Sequence, residues 1–219
     1  MNTEIDHLVV VADSLEQGAA WCEAELGVPS VAGGKHPLMG THNRLLAIPG
    51  PVFPKAYLEI IAIDAQAPPP ARPRWFGMDE PQLRQAVRSV PRLVHAVLRT
   101  PNVEMLRWGL INLGCNPGPA LAAERATPQG RLAWRILVRD DGAIDCQGTL
   151  PTLIEWQGMH PADALPPSQV SLAAVKLGRL PPGVVDLLRL RAADFQADGP
   201  ALCVTLATPR GPVSLGTAS

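Results

Sequence analysis

Two histidines and two glutamates lie in short apolar runs, where a titratable side chain is uncommon. His7 and His95 each lie inside a run rich in Val and Leu, and Glu59 and Glu155 each lie between apolar neighbours further along the chain. The separations from histidine to glutamate are similar, 52 residues (59−7) and 60 residues (155−95). A buried imidazole needs partners for its ring nitrogens, and a buried carboxylate must be paired, hydrogen-bonded or protonated. The repetition makes these four residues the leading candidates for chemistry.

Each of the four residues also has an ordinary explanation when it is taken alone. A single histidine such as His7 is most often a hydrogen-bonded core residue. Glu59 could face solvent from a half-exposed strand, or pair with Arg44. Because the same two residue types recur in the same order, a shared site is the interpretation that explains all four together.

The first histidine and the first glutamate belong to a predicted β-α-β-β unit. Residues 4–11 are a Val-rich run typical of a buried strand. Ser14 and Gln17 form a capping-box pattern, and Gly27 predicts the end of the helix. Two further strands are expected at residues 41–48 and 56–63, with room for another between residues 28 and 40.

The second unit has the same plan. Its first strand begins at Arg92 and carries His95, and Thr100-Pro101 predicts a helix with threonine as its cap and proline at its first position. Gly114 predicts the end of that helix. The strands that follow are expected at residues 120–127, 132–138 and 152–156.

We divide the chain into a domain at residues 1–165 (module one 4–64, a proline-rich connector 65–91, module two 92–160) and a C-terminal half-repeat at residues 166–219. The connector contains Trp75-Phe76-Gly77-Met78, an apolar patch expected to dock against a sheet edge. In the half-repeat, Leu172 occupies the position equivalent to the histidines, and Ser214 the position equivalent to the glutamates. We therefore expect it to be structural, packed on the same domain and covering an edge or one end of the main sheet.

The composition is that of a globular protein: 47% of the 219 residues are hydrophobic and the formal net charge is −1. A nearly neutral chain gives no reason to expect a nucleic-acid partner. None of the four cysteines forms a C-x-x-C pair, so free thiols are expected. The N-terminal residues lack a secretory pattern, and no apolar stretch reaches the ~20 residues of a membrane span. These features predict a cytoplasmic protein without a membrane partner.

A set of short motifs resembles the glyoxalase-like branch of the vicinal oxygen chelate superfamily, which groups glyoxalases, bleomycin-resistance proteins and dioxygenases. The resemblance covers residues 4 to about 165. The motifs are Ile5-Asp6-His7-Leu8-Val9-Val10, Gly40-Thr41-His42-Asn43-Arg44-Leu45-Leu46, Tyr57-Leu58-Glu59-Ile60-Ile61, Arg74-Trp75-Phe76-Gly77, Leu98-Arg99-Thr100 and Leu153-Ile154-Glu155-Trp156.

The resemblance implies an α+β fold in which two βαβββ modules pair into a curled, U-shaped mixed sheet around a divalent metal. The metal ligands would be His7, Glu59, His95 and Glu155, one histidine and one glutamate from each module. Two imidazoles and two carboxylates suit a borderline cation such as Zn²⁺, Ni²⁺, Mn²⁺ or Fe²⁺. On an octahedral ion this set leaves two positions for adjacent oxygens of a small-molecule substrate.

The function that the resemblance implies is that of a metal-dependent lyase or isomerase acting on a small oxygenated metabolite. The metal would polarise a chelated carbonyl or enediolate, and a carboxylate, Glu155 first and Glu59 second, would transfer the proton. Two alternatives stay open: a binding protein of drug-sequestering type and an extradiol-type dioxygenase. The dioxygenase needs only two histidines and one glutamate around Fe²⁺, so a fourth protein ligand argues against it.

Further residues are candidates for substrate contacts. His42 and Asn43 begin the strand before the first glutamate strand and could line the pocket mouth, and Arg44 and Arg135 could bind an anionic group. Trp134 could form a pocket wall. Both modules lie in one chain, so a complete site within a monomer is expected, with a homodimer as the alternative.

Overall fold

A curled eight-stranded sheet and a separate four-stranded sheet form the fold in the computed structural model, which describes residues 2–217. The strands of the large sheet are β1 (Glu4–Val11), β2 (Val31–His36), β3 (Thr41–Ala47), β4 (Tyr57–Ile63), β5 (Arg92–Arg99), β6 (Ala120–Thr127), β7 (Gly130–Leu137) and β8 (Thr152–Trp156). Their order across the sheet is β2-β3-β4-β1-β5-β8-β7-β6.

The two predicted units are present and join along their first strands. β1 pairs in parallel with β4, and β5 pairs in parallel with β8, so each unit begins and ends on neighbouring strands. β1 and β5 pair antiparallel at the centre of the sheet. The predicted α+β class with paired βαβββ modules is therefore confirmed.

The main helix of each module begins at a capping residue, which the sequence predicts correctly in the first module only. They are α1 (Leu15–Leu26), α2 (Pro81–Val87), α3 (Val103–Asn112), the single turn α4 (Asp145–Gly148) and α5 (Pro182–Leu188). Ser14 caps α1 as predicted, but α3 is capped by Asn102 rather than Thr100, because Asn102 Oδ1 accepts from Met105 N. None of the helices within residues 2–217 combines the length and apolarity needed to cross a membrane.

Side chains of the large sheet alternate between two faces. The inner face carries Val9, Ile61 and Ile154, which belong to one apolar cluster. The outer face carries Leu8 and Ile60, which belong to a larger cluster that also includes residues of α1 and α3. A residue's position along a strand therefore decides whether it lies on the inner face or under the helices.

The C-terminal segment packs on the outer face of the large sheet, whereas the sequence predicted that it covers an edge or one end of that sheet. Its remaining elements are β9 (Ser171–Gly178), β10 (Asp194–Gln196), β11 (Leu202–Thr208) and β12 (Gly211–Gly216), in the order β10-β9-β11-β12. Apolar residues of β9 and β11 belong to the outer-face core, and Leu172 N donates to Ile48 O at 3.0 Å. The segment has an apolar sheet face of its own, which must be buried. The division of domains at residues 165 and 166 stays a prediction.

The connector contributes two aromatic side chains to the inner face. Trp75 and Phe76 are buried in the inner-face cluster, whereas the sequence predicted docking at a sheet edge. Phe76 takes a left-handed conformation (φ 57°), and Gly77 N donates to Gly142 O at 2.9 Å. The loop after β7, which contains Gly142, therefore holds this turn over the concave side of the sheet.

Candidate active site

His7 and Glu59 meet on the inner face, on the neighbouring strands β1 and β4. His7 Nε2 lies 3.6 Å from Glu59 Oε2, and the two residues are only 4% and 6% exposed. The other ring nitrogen, Nδ1, lies 2.7 Å from Asp6 Oδ1, which accepts its hydrogen bond. A neutral ring with its proton on Nδ1 presents the Nε2 lone pair to the carboxylate, so a proton or another cation is needed between the two atoms.

Asp6 orients His7, although consecutive residues of a strand normally point to opposite faces. A register shift between Ile5 and His7 in the β1–β5 ladder breaks the alternation at this point. Asp6 Oδ2 accepts from Trp156 Nε1 and lies 2.9 Å from His160 Nε2. Burial opposes ionisation of this carboxyl, but hydrogen bonds from His160 and His7 hold the pKa of Asp6 well below its ordinary value. Asp6 is therefore an anion behind the His7 ring.

A second histidine, His36, approaches Glu59 from β2. Its Nε2 lies 3.9 Å from Glu59 Oε1, and its Nδ1 lies 3.1 Å from Thr41 Oγ1. Asn43 Nδ2 donates to Glu59 Oε1 at 2.6 Å and lies 3.4 Å from His36 Nε2, while Asn43 Oδ1 accepts from Gly34 N. Burial lowers the pKa of His36 to about 4. The His36 ring is therefore neutral at pH 7 and keeps a lone pair.

Aromatic and apolar side chains enclose this cluster of His7, His36 and Glu59. The cavity between them has a volume of about 30 Å³, room for about one or two water molecules. The Tyr57 ring stacks on His7 at a centroid distance of 4.8 Å. The other wall residues are Leu45, Trp75, Phe76, Arg125, Trp134, Ile136, Ile154, Trp156 and Pro161. The site is a closely fitted pocket with its polar groups on one side.

His95, a predicted ligand of the second module, lies on the inner face but is bonded within its own module. Thr152 N donates to His95 Nε2 at 3.0 Å, and Thr152 Oγ1 lies 3.0 Å from the same nitrogen. The His95 ring packs against Phe76 with a centroid distance of 5.4 Å. Burial, followed by the charge of His7, lowers the pKa of His95 to about 3. Its lone pair is in use, so His95 does not join the cluster.

Glu155, a predicted ligand and the first choice for the base, faces away from the pocket. Ile154 and Trp156 line the pocket, and Glu155 between them lies on the outer face. Its Oε2 accepts from Val103 N at 2.8 Å, in the first turn of α3. The prediction that Glu155 converges with the other three residues is therefore wrong. The sequence motif places the glutamate on the expected strand, but at a position whose side chain points to the outer face.

Of the predicted substrate contacts, two line the pocket and three do not. Asn43 and Trp134 are wall residues. Arg44 bonds to the loop before β2, and Arg135 forms an ion pair with α3. The three residues on the outer face are His42, Arg44 and Arg135. Their predicted pocket contacts are wrong, because adjacent residues of a regular strand cannot share a face.

Three residues of the site were not predicted from the sequence: His36, His160 and Arg125. His36 could have been found by recognising the hairpin at residues 37–40, which pairs His36 with Thr41 and so places it on the Asn43 face. His160 lies in a loop, yet it is 5% exposed and reaches Asp6. No motif surrounds Arg125, so nothing in the sequence predicted its place at the pocket.

A different group of metal-ligating residues lies outside the pocket. Within residues 2–217, Cys115, Asp145 and Cys146 are the group whose donor atoms all lie within 4.8 Å of one another. Asp145 accepts a hydrogen bond from Asn116 N and pairs with Arg139 at 3.2 Å. The guanidinium already neutralises the one carboxylate, which weakens the case for a cation there.

The curled sheet of paired βαβββ modules, with a histidine and a glutamate facing each other inside it, is the arrangement of the vicinal oxygen chelate class. A family model described as a glyoxalase-like domain matches residues 5–190. The chain therefore belongs to the glyoxalase-like domain family. No curated protein matches it.

Several solved structures are similar at low sequence identity. A hypothetical protein from Staphylococcus aureus is 16% identical, with 99% of this chain and 87% of that chain covered and a TM-score of 0.57. Methylmalonyl-CoA epimerase from Streptomyces coelicolor, in complex with 2-nitronate-propionyl-CoA, is 16% identical, with 71% and 98% covered and a TM-score of 0.45. The Mycobacterium tuberculosis epimerase is 14% identical, with 69% and 85% covered and a TM-score of 0.38. The first of these shares the fold with this chain.

Proposed function

We propose that the chain is a metal-dependent enzyme of lyase or isomerase type, which moves a proton next to a carbonyl group of a small oxygenated metabolite. One observation carries the proposal: the separation of 3.6 Å between His7 Nε2 and Glu59 Oε2. Asp6 holds the ring proton on the far side, so two acceptors face each other in a buried place. A divalent cation satisfies both atoms, and membership in the glyoxalase-like family supports this reading.

Three side chains of the first module are the candidate ligands of such an ion: His7, His36 and Glu59. Glu59 Oε2 lies 3.6 Å from His7 Nε2, and Glu59 Oε1 lies 3.9 Å from His36 Nε2, whereas neighbouring ligands with bonds of about 2.1 Å lie about 3.0–3.4 Å apart. The donor atoms of the three residues do not all lie within 4.8 Å of one another, so the side chains must move together to hold one ion. Each histidine has its Nδ1 anchored on an oxygen atom, which is how metal-binding histidines are usually oriented. We infer that this set replaces the predicted quartet, so the site is complete within a single chain.

Glu59 is our candidate for the catalytic base in place of Glu155. The bound ion would supply a Lewis acid for a carbonyl oxygen. Among the residues that line the cavity in the described chain, Glu59 alone carries a carboxylate. It would take a proton from the carbon next to the carbonyl and return it to the neighbouring atom. Asn43 fixes Oε1 of this carboxylate.

An extradiol-type dioxygenase is the second candidate. A fourth protein ligand would disfavour this activity, but Glu155 lies on the outer face and cannot be that ligand. Two histidines and one carboxylate with open positions are the ligand set typical of non-haem Fe²⁺ oxygenases. Oxygen uptake with catechols, after loading with Fe²⁺, would favour this activity over proton transfer.

Elemental analysis of protein purified without a chelator or a histidine tag tests the proposal. We expect about one equivalent of a transition metal in the wild type after incubation with Zn²⁺, Ni²⁺, Mn²⁺ or Fe²⁺. His7→Ala should lose the metal, and the matched control His42→Ala, on the outer face, should keep it. The loaded enzyme would then be screened with 2-oxoaldehydes and with vicinal diols or enols. Wild-type protein without metal under all four conditions would overturn the proposal in favour of a binding protein of drug-sequestering type.

A further inference from the structure

Arg125 reaches across the mouth of the curled sheet. It lies on β6, and β6 and β2 are the two ends of the strand order. The guanidinium rests against Gly34 of β2, where an added Cβ would lie 2.1 Å from Arg125 Nη1. The lack of a side chain at Gly34 leaves room for the guanidinium at this point. Arg125 therefore bridges the two edge strands of the large sheet.

The Arg125 guanidinium has no anionic partner in the part of the chain that the structure describes. Its Nη1 is buried and makes no hydrogen bond. By contrast, Arg74, Arg99 and Arg139 are also partly buried, and each forms an ion pair with a carboxylate. A cation that is partly removed from water without a partner is costly. This arrangement is typical of a residue whose partner arrives with a ligand.

Two cavities meet at Arg125. It lines the small cavity at Glu59 and an adjoining cavity of about 380 Å³, whose walls include Leu132, Met159 and Leu165. Within residues 2–217, no other arginine or lysine lines either cavity. A single guanidinium matches one carboxylate through two parallel N–H···O bonds. The apolar walls of the larger cavity suit a hydrocarbon chain.

We propose that Arg125 binds the carboxylate of a monocarboxylic acid whose apolar chain lies in the larger cavity. The inference deepens the proposed function, because it names an oxygenated carboxylic acid, such as a 2-oxo acid, as the substrate class of the same pocket. The reacting carbonyl would then lie on the Glu59 side of Arg125. Binding of the carboxylate itself requires no metal ion, so the two proposals can be tested separately.

Titration calorimetry with hexanoate, hexanamide and inorganic phosphate at fixed ionic strength tests the carboxylate site. Hexanoate lacks the neighbouring oxygen with which a 2-oxo acid chelates a metal ion, and a chelator in the buffer removes any direct contact between metal and carboxylate, so the affinity for hexanoate reports on Arg125. We expect Arg125→Gln to weaken hexanoate binding about tenfold or more and to leave hexanamide binding unchanged. Arg131→Gln is the matched control, because Arg131 lies on the same hairpin, is exposed and pairs with Glu124 at 2.9 Å. This control should bind hexanoate as the wild type does.

Thermal melting provides a second readout. Removal of an unpaired cation should leave the melting temperature of Arg125→Gln equal to or above that of the wild type, whereas a structural arginine would lower it. Equal hexanoate affinity in the wild type and Arg125→Gln would overturn the proposal. So would an absence of hexanoate binding to the wild type up to millimolar concentrations, or a preference for phosphate.

Binding of 2-oxohexanoate, which can chelate a metal ion, distinguishes failure of the metal proposal from failure of the carboxylate proposal. If that proposal alone fails, His7→Ala will bind 2-oxohexanoate as tightly as the wild type does, while Arg125→Gln still loses hexanoate. If both hold, each variant will weaken 2-oxohexanoate binding.

Discussion

The two modules of the large sheet share a strand plan but place different chemistry at the equivalent position. In the first module, Glu59 on the last strand pairs with the residue two positions after His7. In the second module, the residue of the last strand that pairs with the residue two positions after His95 is Thr152. A carboxylate therefore faces the first histidine, whereas a hydroxyl and a peptide N–H face the second.

The surroundings of the two histidines differ in the same sense. Asp6 precedes His7 and holds its Nδ1, whereas the residue before His95 is Val94. His95 has its hydrogen-bond partners within its own module and needs no cation. A repeated fold thus reproduces the position of a side chain, but among the described residues the charged partners that the proposed metal site needs face the first histidine and not the second.

The sharpest test of this asymmetry exchanges each glutamate for glutamine. Glu59→Gln should lower kcat about 10²–10⁴-fold with any substrate found by the screen, because among the described residues no other carboxylate lines the pocket. Glu155→Gln should leave kcat unchanged, because its carboxylate lies under α3. Steady-state kinetics with metal-loaded protein measure both variants. A loss in Glu155→Gln as large as that in Glu59→Gln would contradict the assignment.

A smaller effect is expected at Asp6. Asp6→Asn removes the anion that orients His7, and loss of such an outer partner usually weakens metal binding about 10–100-fold. Competition with a chromogenic chelator measures this affinity. Asp140→Asn is a control, since Asp140 is exposed, pairs with Arg72 at 3.6 Å and is not bonded to His7. Equal metal affinity in Asp6→Asn and the wild type would show that the anion does not support the site.

Local sequence signals predicted the fold well because helix and strand signals act over a few residues. Ser14 and Gly27 bound the first helix as predicted, and the strands carrying His7, Glu59 and Glu155 appear where the apolar runs placed them. These signals depend on backbone hydrogen bonding and burial near the residue itself. They predict which strand carries a side chain.

The site could be predicted only in part. It depends on which face of its strand each side chain occupies and on contacts between residues distant in sequence. Whether Glu155 faces the pocket depends on its position relative to Ile154 and Trp156, and an apolar neighbour on each side fits either face. Asp6 escapes the alternation through a register shift, which no motif announces. His160 and Arg125 reach the site from a loop and from the far end of the sheet.

A third test concerns the acid stability that His95 contributes. Its folded-state pKa of about 3 lies below the ordinary value of 6.5, so the unfolded chain takes up a proton as the pH falls below 6.5 and the folded chain does not. His95 therefore lowers stability progressively as the pH falls from 6.5 towards 3. His95→Gln should reduce the loss of unfolding free energy between pH 7 and pH 5 by about 1–2 kcal/mol. Urea unfolding at both pH values measures it, and an unchanged difference would contradict the buried neutral state.

The smallest expected effect is the one that Glu155 has in its observed place. Its carboxylate accepts a hydrogen bond from Val103 N at the start of α3, where a negative charge also interacts favourably with the helix dipole. Glu155→Ala should therefore lower the free energy of unfolding by about 1 kcal/mol, and Glu155→Gln, which keeps an acceptor but loses the charge, by about 0.5 kcal/mol. Neither variant should change metal content. Urea unfolding beside elemental analysis decides the matter: metal loss at full stability would return Glu155 to the pocket and restore the symmetry of the two modules.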